Sequence, residues 1–269
     1  MSSDSAAGPA RSVRQSGTLR LLARLGFAVN GLLHFLIAGI AIALALGTGG
    51  DSADQSGALG QVAATPGGVF VLWVIVVGMS ALGLWLLLGA FLMQGPDPQR
   101  VWSHRLVEIS KAIVYLGLAA TAAVFAVGGT TSSSGSAQDA SATLLANPGG
   151  VVLLLAGGLV LLGVGAYFVR KGALKKFTED LSVPSGSTGN VIIALGVVGY
   201  IAKGLVLGVV AVLIVVAAVT VDSSKSTGLD GGLKALAALP YGGFVLGTIG
   251  AGLAAYGLYC FARAWRARL

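Results

Sequence analysis

Six apolar runs punctuate the chain: Leu25–Gly47, Val69–Leu92, Ile109–Gly128, Val151–Val169, Ile193–Val219 and Gly243–Ala262. Each is close to or above the about 20 residues a helix needs to cross about 30 Å of hydrocarbon. Backbone amides find no water in lipid, and no run alternates with the period of a barrel strand, so each is predicted to be a helix. With a mean hydropathy of +0.89 and only 10% charged residues, a soluble globule could not clothe its surface. The expected fold is all-α, a polytopic membrane protein with six transmembrane helices arranged as three tandem helical hairpins.

The charges fix an orientation. Arg11, Arg14, Arg20 and Arg24 precede the first run, Arg100 and Arg105 follow the second, and Arg170, Lys171, Lys175 and Lys176 follow the fourth. Arg263, Arg266 and Arg268 end the chain, whereas the three intervening connections hold only Lys225 and Lys234 among basic residues. Basic residues in short connections mark the cytoplasmic side, so both termini are expected there. The net charge of +7 is thus gathered at membrane boundaries and not along an aromatic-lined groove, and no nucleic-acid partner is expected. Asn30 and His34 interrupt the first run, which is longer than a signal-peptide core and is read as a membrane helix. The single cysteine, Cys260, cannot form an intramolecular disulfide.

Three prolines expose an internal repeat. Pro66, Pro148 and Pro240 each sit just before the second helix of a pair, a position whose missing N–H and fixed φ suit a helix start. Seventeen residues beyond them lie Gly83, Gly165 and Gly257, and nineteen beyond lie Trp85, Tyr167 and Tyr259. Upstream, Asn30, Lys111 and Lys203 share a register within one residue, each followed by a small residue. The predicted organisation is a disordered cytoplasmic segment over 1–19, then two-helix repeats over 20–98, 99–175 and 190–266. All three units have the same orientation, so a pseudo-symmetry axis would run along the membrane normal. Between the helices of each pair, Thr130–Ser141 reads as a mobile, low-complexity loop, while Ala58–Ala64 and Leu233–Leu239 can form short surface helices.

The segments Leu25-Gly26-Phe27-Ala28-Val29-Asn30-Gly31 and Val198-Gly199-Tyr200-Ile201-Ala202-Lys203-Gly204 open the first and third copies. With the thrice-repeated hairpin, they resemble an uncharacterised bacterial integral membrane family, a domain-of-unknown-function group best known from high-GC Gram-positive bacteria. The resemblance runs roughly from Arg20 to Trp265. It implies a plasma-membrane location and supplies no activity. Where that family commonly carries a basic residue, this chain has Asn30.

Few residues could carry chemistry. Lys111 and Lys203 stand near the cytoplasmic ends of their helices. They could form an inward cationic ring for an anionic substrate or lipid headgroup, or snorkel to the headgroup layer, which long basic side chains do near helix ends. Glu108 shares a helical face with His104 and Lys111, which suits either a proton-linked cluster or a self-neutralising interfacial pair. His34, one turn beyond Asn30, is expected to be neutral and hydrogen-bonded to a neighbouring helix. Gly83, Gly165 and Gly257 read as close helix crossings, as do the glycine pairs Gly204/Gly208 and Gly243/Gly247. Trp85, Tyr167 and Tyr259 read as interfacial anchors, because aromatic rings favour the headgroup level.

With two histidines in all, multi-histidine metal sites are impossible, and no nucleophile elbow, phosphate loop or dinucleotide fingerprint appears. No catalytic residue, metal or cofactor is expected. The expected function is a non-catalytic structural or partner- or lipid-binding component whose partners are the bilayer, another membrane protein or an anionic lipid. A small-molecule, lipid or ion permease with a path between the repeats is the alternative, and it would need polar residues at mid-membrane.

Overall fold

In the computed structural model, residues 17–48, 52–94 and 96–267 are described. Six long helices are apolar enough to cross a membrane: α1 (Gly17–Ala45), α3 (Gly68–Leu92), α4 (Pro98–Ala126), α6 (Gly150–Ala173), α7 (Ser187–Thr220) and α9 (Gly242–Arg266). Three short α-helices, one in each hairpin, join its two members: α2 (Gln55–Ala64), α5 (Ser133–Leu145) and α8 (Gly228–Ala237). No strand occurs among the described residues, only an isolated bridge between Leu181 and Ala267. The protein is a multi-pass helical membrane protein of three tandem hairpins. The expectation of a disordered 1–19 segment falls mainly on residues outside the described ones, but Gly17–Leu19 already belong to α1.

Where α1 and α4 begin, they extend beyond the apolar runs, because Arg20, Arg24, Arg100 and Arg105 continue the helix at the basic end. Asp97 starts α4 by accepting from the Gln99 and Arg100 amides, with Pro98 in the first turn. The repeated prolines act differently from expectation. Each precedes a residue in the left-handed region, Gly67 (φ 78°), Gly149 (φ 79°) or Tyr241 (φ 62°), and the helix begins one residue later. The amide of that next residue closes a turn on Thr65, Asn147 or Leu239. Proline followed by a left-handed residue is the signature of a type II turn.

Helix packing forms an open ring. Around it the order is α4, α3, α1, α9, α7, α6, and α4 and α6 are not packed against one another. The ring is therefore split inside the second hairpin, whose two helices are its free edges.

The repeated glycines explain both the closed joints and the split. A Cβ added at Gly165 would lie 2.9 Å from the Gly204 carbonyl oxygen, and one at Gly257 would lie 2.8 Å from that of Gly31. At Gly83 it would meet the Leu116 side chain at 2.9 Å. Thus the second helix of each copy crosses the first helix of the next, and the third copy closes on the first. Gly204 and Gly243 are close crossings as expected, whereas a Cβ at Gly208 or Gly247 would have room.

A second set of joints lies within the hairpins. In the first copy Gly26 on α1 meets Gly78 on α3, and in the third Gly199 on α7 meets the backbone of Tyr256 while Gly252 meets Ala202. In the second copy the positions equivalent to Gly26/Gly199 and Gly78/Gly252 are Val107 and Val160. Both valines are exposed, and α4 and α6 stand apart. Small residues let helix backbones approach, and two valines prevent it.

Opposite the basic end, the three short helices form a cap. The Ser133 amide donates to the Ser56 hydroxyl (2.9 Å), Ser141 donates to Ser226 (2.8 Å), and the Ala53 amide donates to Asp230 (2.8 Å). Each connection is thereby tied to both others. The segment Thr130–Ser141, expected as a mobile loop, is mostly helix. Ser132 caps it through the Gly135 amide, and its far face is held by α8 and α6. Burial raises the Asp54 carboxyl in this cap, and the like charge of Asp230 adds to it against the opposing Gly57 amide and Lys234 charge.

Candidate functional site

At the basic end the ring encloses a cluster of cations and aromatic rings. The closely packed α7–α9 joint stacks Tyr200 and Tyr256 edge to face, with centroids 5.3 Å apart. The connection after α6 folds back as a 3-10 turn over Lys176–Asp180 and drives the fully buried Phe177 between Tyr200 and Tyr259. Gly196 makes room for it, since any Cβ there would overlap the Phe177 ring. The Ser182 amide then donates to the Arg266 carbonyl (3.0 Å), fastening this connection to the end of α9.

Lys203, Lys171 and Arg263 lie against aromatic rings here, and Lys111 adds a fourth charge near Asp180. Lys203 Nζ lies 4.4 Å from the centroid of Tyr256 and 5.5 Å from that of Phe168, and donates to the Tyr256 hydroxyl at 3.4 Å. No carboxylate among the described residues pairs with it. Lys171 donates to Asp180 (2.9 Å) and stands over Tyr200. Arg263 lies 3.8 Å from the same Asp180 oxygen and covers the Phe27 ring at 4.4 Å. Lys111 pairs with Glu108 at 2.7 Å. Two carboxylates therefore serve four cations. Cations over aromatic faces gain about 0.5–2 kcal/mol each, so the rings hold Lys203 in place without cancelling its charge. Burial alone would raise the Asp180 carboxyl, but the Lys171 hydrogen bond and the positive charges of Arg263 and Lys111 hold it below its ordinary range.

Of the three aligned positions, only Lys203 turns a charge inward. Asn30 is buried and donates to Cys260 Sγ at 3.4 Å, and Lys111 remains exposed beside its carboxylate. His34 Nδ1 donates to the Asn30 carbonyl of its own helix (2.8 Å) and meets α9 through its ring, 4.7 Å from Tyr256. The contact with the neighbouring helix is thus a tilted ring pair and not the expected hydrogen bond. His104 likewise donates to Arg100 of its own helix, leaving Glu108 to Lys111.

Tyr259 corrects the expectation of an interfacial anchor. It is fully buried because the Phe177 connection covers it. Its repeat counterpart Tyr167 is 54% exposed, since α6 lacks a partner on that side, and Trp85 is half-buried. Sequence reasoning missed Tyr200, Tyr256, Phe177, Asp180 and Arg263 as a group, since they lie on separate elements of the third copy and of the connection that precedes it. The one available signal was Asp180 and Glu179 standing beside an otherwise basic connection.

Three segments, residues 25–92, 109–175 and 198–267, match the family model described as Domain of Unknown Function (DUF1206). The chain belongs to this family. The DUF1206 segments coincide with the three hairpins, so the triple match and the ring describe one repeat. The chain is also similar to a Bacillus subtilis (strain 168) protein called "Uncharacterized protein YxxB", 29% identical over 252 residues, which cover 90% of this chain and 88% of that one. No solved structure matches the chain.

Proposed function

We propose that this DUF1206 protein is a non-catalytic component of the plasma membrane that holds an anionic group at the Lys203 cluster and stands with its basic end and both termini in the cytoplasm. The observation that carries the reading is the inward Lys203, a cation held by aromatic rings with no carboxylate of its own. A desolvated charge without a counter-charge is costly, and an incoming anion removes that cost. The basic connections support the orientation.

A holding role suits the interior better than a conducting one. At mid-depth the ring is filled by Leu33, Ile37, Leu72, Ile75 and Met79, each no more than 1% exposed. The hydrogen-bonded cap covers the far end. The test is anion flux into vesicles containing the purified protein, set beside recovery of co-purifying proteins and lipids in mild detergent. The expected result is no flux above empty vesicles, and less bound material with Lys203→Leu. A flux that Lys203→Leu abolishes without loss of expression would replace this reading with a permease. Cysteine labelling at Lys175 from outside the cell would overturn the orientation.

A further inference from the structure

The split in the ring is a built feature of the second hairpin. At four repeat positions the first and third copies are buried where the second is open. Leu33 and Val206 are 1% and 3% exposed, but their counterpart Val114 is 61% exposed. Leu82 and Tyr256 are 0% and 4% exposed, but Val164 is 39%. The glycine joints Gly26/Gly78 and Gly199/Gly252 are buried, whereas Val107 and Val160 are 52% and 67% exposed. With Leu106 and Tyr167, these side chains give the seam apolar walls facing the hydrocarbon.

We propose that the seam between α4 and α6 admits one anionic phospholipid from the leaflet at the basic end, with acyl chains against Val107, Val114, Val160 and Val164 and its phosphate at Lys203, Lys171 and Arg263. The proposal rests on the anion-holding reading above and specifies its ligand. Charge complementarity selects the occupant: the walls are apolar, while the cluster they lead to carries four cations against Glu108 and Asp180. The cap selects a lipid over a transmembrane helix. α5 joins the two edge helices through their connection and is tied to Ser56 and Ser226 at the opposite end. A helix spanning the whole bilayer would collide with that bridge, whereas a lipid occupies half the depth. Interfacial Lys and Arg attract anionic headgroups across short distances.

The experiment uses the full chain in nanodiscs containing phosphatidylglycerol, phosphatidylcholine or an equal mixture, followed by mild detergent extraction and counting of retained lipid by mass spectrometry. Inorganic phosphate alone, added to delipidated protein, is the further arm. Retention of about one phosphatidylglycerol, at least tenfold over phosphatidylcholine, is the expected result. Lys203→Met and Lys203→Gln should each lower it at least fivefold with the helical circular dichroism unchanged. The double change Val107→Gly with Val160→Gly restores the glycine pair of the other copies and should abolish retention while every cation remains. Equal retention of the two lipids, or full retention by the glycine variant, would overturn the proposal. Phosphate stabilising the protein as much as phosphatidylglycerol does would also overturn it, while leaving the anion-holding reading intact. If neither phosphate nor lipid binds, both fail.

Discussion

Gly257 and Gly31 touch backbone to backbone, close enough that a methyl group on either would enter the other's carbonyl oxygen at 2.8 Å. This one contact joins the last helix of the chain to the first and turns three tandem hairpins into a ring. Gly257→Ala and Gly165→Ala, both pressed against main chain, should each destabilise the protein by about 1–3 kcal/mol. Gly83→Ala meets the movable Leu116 side chain first, with the Ala112 carbonyl farther off at 3.3 Å, and should cost less. Thermal unfolding in one detergent checks the ranking.

Tyr241 occupies a left-handed turn position that Gly67 and Gly149 fill in the other copies. A side chain at such a position costs about 1–2 kcal/mol. Tyr241→Gly should therefore raise stability by about 1 kcal/mol, and Gly149→Tyr should lower it by a similar amount. Unfolding midpoints of the two variants, measured side by side, decide the matter.

Phe177 and Gly196 share one volume. Phe177→Ala should cost about 3–5 kcal/mol through the cavity it leaves. Gly196→Ala should be destabilising alone but nearly neutral in the Phe177→Ala background, where its methyl group finds space. A double-mutant cycle on unfolding free energies measures that coupling, and additive values would refute the shared-volume account.

Two carboxyls outside the membrane-spanning segments give opposite acid responses. Asp180 titrates below its ordinary value of 3.8, so its contribution is complete above that pH and is lost as acid approaches the depressed value. Asp180→Asn should flatten the acid limb of a stability profile. Asp54 titrates above 3.8, so the folded state gains from its protonation and loses that gain as pH rises. Asp54→Asn keeps a capping side chain for the Gly57 amide and should stabilise the protein most at neutral pH and above. Unfolding midpoints of both variants across the acid range test the two signs.

Much of this architecture is written in local chemistry. Run length sets the six spanning helices, and the spacing from Pro66, Pro148 and Pro240 to Gly83, Gly165 and Gly257 marks the joints between successive copies. What stays hidden depends on tertiary partners. Val107 and Val160 look like ordinary membrane residues until Gly26, Gly78, Gly199 and Gly252 are seen touching in the other copies. The Ser-rich stretch that becomes α5 has poor intrinsic helix propensity, and it is held by its Ser132 cap, its packing on α8 and α6, and its bonds to Ser56 and Ser226. Tyr259 reads as an anchor by position, yet a connection more than eighty residues earlier supplies the Phe177 ring that covers it.

The hydrogen bonds among the three connections make one rim of the bundle a closed hoop, while the opposite rim is cut. Lateral tension in the leaflet around the hoop would meet a girdle that cannot widen without breaking polar contacts. The same tension in the other leaflet would spread the cut edges freely. The bundle is thus fastened at one face and open at the other, like a clothes-peg.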